Sequence, residues 1–165
     1  MVDHFEEHVR ASCRVAEDLA SRIDVDGAAA LFPRIRRAWI EAEMPSRCPE
    51  AWARIWRAVG DADPARVMSA RELRALEDLP TTVTAYRGFC GDGARGWSWT
   101  PEREIAEDFA VRYDEPAFLC AVTVGKDAII VYLLDGDESE LILDPELIDW
   151  DEARIEAVED TDRDW

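Results

Sequence analysis

The stretch DGDESELILD, residues 135–144, places Glu138 and Glu140 where an acidic turn runs into an apolar segment. The aliphatic residues that follow favour a strand, and strand residues two positions apart project from the same face. Two carboxylates held that close repel each other, which is costly unless cations or hydrogen-bond donors compensate. The pair is therefore either a solvated turn or the acidic part of a site, and the other segments decide between these interpretations.

Length and charge limit the class of protein. A chain of 165 residues suffices for one domain, or for a catalytic core with a helical extension. The net charge of −18 disfavours nucleic acid as a partner, because binding it depends on Lys and Arg neutralising phosphates. The same charge disfavours anionic membranes and favours a basic protein partner.

The cysteines indicate the compartment. Cys13, Cys48, Cys90 and Cys120 are at least 30 residues apart and form no CxxC pair. Because no segment has the pattern of a signal peptide, we expect free thiols in a reducing cytoplasm. No apolar run approaches the ~20 residues that span a bilayer, so a cytoplasmic protein without a membrane segment is predicted.

Residues 1–80 have apolar side chains at helical spacing. Pro49 suits the first position of one helix, whereas Pro33 is expected to bend or restart another. Ser69 and Glu72 have the spacing of a capping box and open the last helix of this region. The predicted helices cover residues 3–20, 28–43, 49–60 and 70–79. Together they form a helical N-terminal region without visible chemistry of its own.

The pattern changes to strands at Thr81. Alternating β-branched residues favour strands, and the Gly-rich and Asp-rich segments between them favour turns. The predicted strands cover residues 81–88, 97–100, 117–124, 128–134, 140–143 and 154–158.

Thr100, which precedes a proline, is expected to cap a helix. The packed face of that helix is expected to consist of Ile105, Ala106, Phe109 and Ala110. The sequence therefore predicts an α+β fold. The helical N-terminal region is expected to pack on a small, mostly antiparallel, two-sheet core. This core spans residues 81–165 and ends in an acidic tail.

Three patterns resemble a zinc motif, a dinucleotide-binding motif and a hydrolase nucleophile, but each lacks the sequence context that such a site requires. His4 and His8 fit the HxxEH zinc motif, although the start of an exposed amphipathic helix explains them better. Residues 91–96 fit GxGxxG but lead into a strand, so no helix N-terminus faces a pyrophosphate. The cysteines have no neighbouring histidine in the sequence, and no serine lies in a GxSxG elbow. We therefore predict neither a metal site nor a Cys or Ser hydrolase.

Three short segments at predicted strand ends remain: YRG at residues 86–88, SWT at 98–100 and ESE at 138–140. In this order they resemble the R-S-E class of mono-ADP-ribosyltransferases, which combine a strand-borne Arg, an S-T-S-like triplet and an E-x-E motif before an apolar strand. The helical segment IAEDFA after the triplet is also similar to that family. The resemblance covers about residues 81–158 and implies an ADP-ribosyltransferase-like two-sheet core with a cleft for NAD as co-substrate.

The resemblance implies a role for each matching residue. Glu140 would stabilise the oxocarbenium character that develops when the nicotinamide–ribose bond of NAD breaks. Glu138 would orient or deprotonate the acceptor. Arg87 would bind the diphosphate, Ser98 would donate a hydrogen bond to Glu140, and Thr100 would support the same strand end. The other residues expected in the NAD site are Tyr86, Gly88 and Trp99.

Several features depart from the family or bear on the substrate. Trp99 replaces the small hydroxyl residue of the family's triplet, and it is expected either to stack on nicotinamide or to pack. The turn before Glu138 lacks the aromatic residue that many protein-modifying members use to hold a target. NAD is anionic and requires a local cation, for which Arg87 is the expected source. The other arginines of this region, Arg95, Arg103 and Arg112, are expected on solvated faces.

In the family, an E-x-E pair accompanies arginine acceptors, so the resemblance implies transfer of ADP-ribose from NAD to an arginine of a basic protein. With water as the acceptor, the same site would be an NAD glycohydrolase. Without turnover, it would be a binder of NAD or ADP-ribose. A further alternative is an acidic inhibitor or immunity-type protein that covers a basic surface of another protein.

Overall fold

The computed structural model describes residues 3–112 and 116–159. The chain divides into two compact units, Met1–Val67 and Met68–Trp165. In the described residues the first unit contains helices and turns, whereas the second combines helices with two small antiparallel sheets, so the architecture is α+β as predicted. The end of the acidic tail, residues 160–165, lies outside the described residues.

The described part of the first unit contains four α-helices. Their bounds are α1 (His4–Asp26), α2 (Ala28–Glu41), α3 (Pro49–Gly60) and α4 (Pro64–Val67), with a 3-10 turn at Pro45–Arg47. α1 extends beyond its predicted end at residue 20, because Ile23 continues the buried stripe of the helix. Gly27 separates α1 from α2 with a φ of 83°, a backbone conformation that favours glycine. Pro33 lies inside α2 without ending it.

Tryptophans form the centre of the first unit. The ring centroid of Trp39 lies 4.8 Å from that of Trp52 and 5.2 Å from that of Trp56, with edge-to-face geometry in both pairs. All three side chains are buried, together with Ile35 of α2 and Ile55 of α3. Each aromatic pair adds about 0.5–1.5 kcal/mol to the stabilisation from burial. The apolar faces of α2 and α3 therefore meet in an aromatic core.

Cys48, the residue before α3, is buried and contacts Cys13 of α1. Burial raises the pKa of the Cys48 thiol to about 12, and the hydrogen bond with Cys13 and the charge of Glu17 act in the same direction. The folded pKa thus exceeds the unfolded value of 9.0. This thiol therefore stabilises the fold fully below about pH 9, and the contribution is lost as the pH rises toward 12.

Alkylation tests the environment of Cys48. At pH 8 we expect iodoacetamide to label this residue about 10³-fold more slowly in the native protein than in urea, because the thiolate is the reactive form. Mass spectrometry of quenched samples would measure the labelling rate, with the urea-unfolded chain as the reference. Equal rates in the two states would contradict the burial of this thiol.

The described part of the second unit contains two α-helices and six strands. Their bounds are α5 (Ala70–Asp78), β1 (Thr82–Cys90), β2 (Ser98–Trp99), α6 (Arg103–Ala110), β3 (Ala117–Gly125), β4 (Val131–Asp135), β5 (Glu138–Ile142) and β6 (Arg154–Val158). The strands form two antiparallel sheets with the orders β1-β3-β6 and β2-β5-β4. Two 3-10 turns lie at Lys126–Ala128 and Pro145–Leu147.

Helix α5 belongs to the second unit because it packs on β4. Its predicted capping box is present: Ser69 Oγ accepts from Glu72 N at 3.2 Å, and Glu72 Oε2 accepts from Ser69 N at 3.0 Å. The other carboxylate oxygen of Glu72, which is 2% exposed, accepts from Leu134 N of β4 at 3.2 Å. The unit boundary therefore lies before α5, whereas the sequence pattern placed it after residue 80.

The hairpin of β4 and β5 differs in its bounds from the prediction. β4 begins three residues later than predicted, at Val131, because the preceding 3-10 turn takes up the chain after β3. β5 begins at Glu138 rather than Glu140, because the strand pairing continues to the end of the hairpin, where Asp135 lies opposite Glu138. Gly136, with a φ of 61°, allows the tight turn between them. Both glutamates are thus strand residues.

Helix α6 differs from the prediction in its start and in one of its faces. Thr100 does not cap it: the helix follows Glu102, and Thr100 Oγ1 accepts from Glu102 N at 3.1 Å in the preceding turn. Ala106 is buried as predicted, but Phe109 is 44% exposed. The reason is that Gly88 of β1 lies against the backbone at Ala106, so the helix approaches the sheet through its small residues.

Candidate functional site

A backbone bridge joins the two sheets of the second unit. Tyr86 N donates to Thr100 O at 2.7 Å, and Thr100 N donates to Tyr86 O at 2.8 Å. The bridge brings β1 beside the end of β2, where Arg87 Nη1 donates to Ser98 O at 3.1 Å. The first two of the three motif segments are thereby held side by side.

The third segment joins them through β5. β2 pairs with β5 in a register that places Ser98 opposite Ile142. Glu140 is two residues from Ile142 and therefore projects from the same face as Ser98. Ser98 Oγ donates a hydrogen bond to Glu140 Oε2, which joins positions 42 residues apart in the chain. Arg87, Ser98 and Glu140 are thus neighbours in space.

Arg87 lies on a face of β1 that is otherwise apolar, with Val83 and Ala85 buried. Besides its contact with β2, the guanidinium donates through Nε to Gly93 O at 3.1 Å. A Cβ at Gly96 would overlap this guanidinium, so the loop between β1 and β2 closes over it because position 96 has no side chain. The loop that fits a dinucleotide fingerprint in the sequence therefore encloses an arginine.

Burial and neighbouring groups have opposite effects on the charge of Arg87. Burial lowers the pKa of the guanidinium below its usual value, whereas Cys120 and Glu140 raise it. Because the pKa of an arginine normally lies far above neutral pH, the guanidinium keeps its charge at neutral pH. Cys120 lies opposite Arg87 in the β1–β3 register; burial raises the pKa of its thiol, and the charge of Arg87 lowers it. Glu140 therefore lies near a persistent positive charge.

These side chains border a cleft with a volume of about 110 Å³. Its polar side contains Arg87, Ser98 and the two glutamates, and α6 supplies its apolar side. The side chain of Glu138 is 68% exposed, whereas Glu140 and Ser98 are half-buried. The same strand therefore carries an open carboxylate and a shielded one, and such a difference in environment suits two carboxylates to different roles.

All eight residues predicted for the site border this cleft. They are Tyr86, Arg87, Gly88, Ser98, Trp99, Thr100, Glu138 and Glu140. Trp99 is 2% exposed, and its indole N–H donates to Gly96 O at 2.8 Å. Trp97 and Thr100 are also buried. Trp99 is therefore a packed side chain at the border of the cleft.

Two further residues border the cleft. Phe109 was expected in a packed face, whereas Arg112 is exposed, as expected for a solvated face. The guanidinium carbon of Arg112 lies 4.8 Å from the centroid of the Phe109 ring. Arg112 Nη2 lies 3.8 Å from Glu138 Oε1, and the Arg112 side chain is 56% exposed. The spacing of three residues along the chain is the sequence signal that could have indicated the contact between Phe109 and Arg112.

The remaining arginines near the motif segments have partners elsewhere. The guanidinium of Arg95 stacks on Trp150 at 4.7 Å. Arg103 pairs with Glu107 at 2.7 Å and also with Glu156. Of the cations in residues 3–112 and 116–159, Arg87 and Arg112 border the cleft.

The first unit has a cleft of about 430 Å³ along α1, but its lining arginines are exposed, and Arg47 there pairs with Glu6 at 2.7 Å. His8 Nδ1 lies 3.9 Å from Glu43 Oε1. Within the described part of the chain, no three metal-ligating side chains are grouped to hold an ion. None of the helices described has the length and hydropathy of a membrane-spanning segment. Because the arginines that line the cleft of the first unit are exposed, the cleft of the second unit is the better candidate for a functional site.

Comparison of the chain with known protein families, with curated proteins and with solved structures finds no match. A function must therefore be inferred from the residues of the cleft and from their contacts.

Proposed function

We propose that the protein is a mono-ADP-ribosyltransferase, and that its second unit is an ADP-ribosyltransferase-like core. It cleaves the nicotinamide–ribose bond of NAD and transfers ADP-ribose to an arginine of a basic protein. The observation that carries this proposal is the hydrogen bond from Ser98 to Glu140 beside the charged Arg87, which unites three separate segments in one cleft.

Glu140 supplies the negative charge that the reaction requires. As nicotinamide leaves, positive charge develops on C1′ and the ring oxygen of the ribose, and a fixed carboxylate beside them stabilises it. Ser98 holds this carboxylate in one orientation. Half-burial strengthens the stabilisation, because less water screens the two charges.

Arg87 supplies the positive charge that attracts an anionic co-substrate to a protein of net charge −18. A guanidinium has five N–H donors, and within the described residues two of those of Arg87 are used by the carbonyls of Gly93 and Ser98. The remaining donors are the ones that we assign to the diphosphate of NAD. Because the carbonyls fix the plane of the guanidinium, little conformational entropy is lost on binding.

The size of the cleft limits which part of NAD it encloses. Its volume of about 110 Å³ is below the roughly 300–1,000 Å³ of pockets that bury a whole drug-sized ligand. The cleft therefore holds the part of NAD around the bond that breaks, as far as the diphosphate beside Arg87, and the adenosine end lies along the open surface.

Glu138 faces the acceptor. Its carboxylate lies at the open end of the cleft and on the same strand face as Glu140, two residues away. An exposed carboxylate attracts a cationic acceptor and takes its proton as the new bond forms. An arginine side chain on a basic protein fits both this carboxylate and the negative charge of the whole chain.

The experiment that tests the proposal is incubation of the protein with NAD and a basic, arginine-rich acceptor protein. Chromatography would measure free nicotinamide, and mass spectrometry would measure ADP-ribose adducts. Both products together are the expected result. Nicotinamide without any adduct would indicate an NAD glycohydrolase. Calorimetric binding of NAD without nicotinamide release would indicate a non-catalytic binder, and salt-sensitive binding of a basic protein without NAD binding would indicate an inhibitor or immunity-type protein.

Removal of the hydroxyl that orients Glu140 is expected to slow the reaction. In Ser98→Ala the carboxylate loses a charge-assisted hydrogen bond of about 1.5–3 kcal/mol, so nicotinamide release should fall about 10- to 100-fold. Thermal unfolding followed by circular dichroism would verify that the variant is folded. Thr123→Ala, which removes an exposed hydroxyl from β3, is the matched control and should keep the parent rate. An unchanged rate in Ser98→Ala would show that the contact has no role in the chemistry.

A further inference from the structure

We propose that Arg112 is a self-modification site, and that its guanidinium accepts ADP-ribose from NAD bound in the cleft of the same molecule. This inference rests on the proposed function and names one acceptor for it. The supporting observation is that Arg112 borders the cleft with its guanidinium near both the ring of Phe109 and the carboxylate of Glu138.

The surroundings of Arg112 are those of a bound guanidinium. The face of Phe109 lies 4.8 Å from the guanidinium carbon, within the range of a cation–π contact. Glu138 Oε1 lies 3.8 Å from Nη2 of the same guanidinium. An aromatic face and a carboxylate together are a common way to hold an arginine. Phe109 thus supplies, from α6, the aromatic group that is missing from the turn before Glu138.

Other arginines of the second unit are less suitable acceptors. Arg87 is half-buried and donates to two backbone carbonyls. Arg95 stacks on Trp150, and Arg103 is paired with two glutamates. Arg112 combines a position at the cleft with a side chain that is 56% exposed and therefore able to adjust toward the ribose.

The chemical step balances with NAD as the sole co-reactant. The bond between C1′ of the ribose and the nicotinamide nitrogen breaks, and its electron pair leaves with nicotinamide. A terminal nitrogen of Arg112 forms the new bond to C1′ and loses a proton to Glu138. Glu140 stabilises the positive charge on the ribose in between.

The test is incubation of the purified protein with NAD alone, without any added acceptor. Nicotinamide is measured in solution, and the peptide that contains Arg112 is examined by mass spectrometry for an ADP-ribose adduct. We expect nicotinamide release together with an adduct on Arg112. In Arg112→Lys the adduct at this position should fall at least tenfold, whereas Arg154→Lys, at an exposed position on β6, should retain the parent's adduct. Phe109→Ala should lower the rate of labelling several-fold, because the guanidinium loses its stacking partner.

The outcomes separate this inference from the proposed function. Nicotinamide release with no adduct on Arg112, or with the adduct at another residue, would overturn the self-modification and leave the NAD chemistry standing. Absence of nicotinamide release, with and without an added acceptor, would overturn both.

Tenfold dilution of the protein should leave the labelled fraction per unit time unchanged, because the acceptor and the site are in one molecule. A tenfold decrease in that rate would overturn modification within a single molecule.

Discussion

Glu140→Gln is expected to reduce the rate of nicotinamide release from NAD by about 10³-fold, comparable to the loss of one strong electrostatic contact to a transition state. Glutamine keeps the size of the side chain and a hydrogen-bond acceptor for Ser98, but it has no charge to stabilise the oxocarbenium ion. The loss should therefore appear in kcat, with KM for NAD nearly unchanged. Chromatographic measurement of nicotinamide over a range of NAD concentrations would separate the two constants.

The matched control for this variant is Glu152→Gln. It removes the same charge from an exposed position of the second unit that does not line the cleft described here. We expect it to keep the parent's rate. If Glu140→Gln released nicotinamide as fast as this control, the assignment of the oxocarbenium-stabilising role to Glu140 would be wrong.

Gly88→Ala is expected to destabilise the second unit by about 3 kcal/mol, at the upper end of the cost of overpacking a core. The added Cβ would overlap the carbonyl oxygen of Ala106 and lie 2.8 Å from the backbone nitrogen of Ala110. Both are backbone atoms of α6, so the helix as a whole has to move away from β1. The free energy of unfolding, measured by denaturant titration, should show the loss.

Gly125→Ala is the comparison for Gly88→Ala. Gly125 lies at the end of β3 with a φ of −67°, which an alanine adopts readily. The nearest atom to its added Cβ is a carboxylate oxygen of Asp127 at 2.5 Å, and this side chain is free to rotate away. We expect a change below about 1 kcal/mol. Equal destabilisation by the two substitutions would show that close packing of α6 on β1 is not what Gly88 provides.

Local signals predicted local structure. Helix α3 has its predicted bounds, Pro49–Gly60, because a proline at the first turn and a glycine at the end act within a few residues. The capping box of Ser69 and Glu72 is present for the same reason. Strand β6, Arg154–Val158, also coincides with its predicted range.

Other predictions failed where a contact distant in the chain determines the outcome. Phe109 has the spacing of a packed residue, yet α6 approaches β1 at Gly88 and leaves the ring at the cleft. Thr100 has the sequence context of a helix cap, yet its backbone bridges to Tyr86 and its hydroxyl caps a turn. The local sequence of α6 or β2 gives no information about where β1 packs. It therefore could not predict the exposure of Phe109 or the contacts of Thr100.

The sequence by itself determined the α+β class, most of the helices and strands, and the three short segments whose residue types suit NAD chemistry. The tertiary structure alone decided that these segments border one cleft, and that Arg112 lies near both Phe109 and Glu138. The physical reason is the range of the interactions. Capping, turn and alternation signals act over a few residues. The hydrogen bond from Ser98 to Glu140 spans 42 residues and exists because the register of β2 on β5 places both side chains on one face.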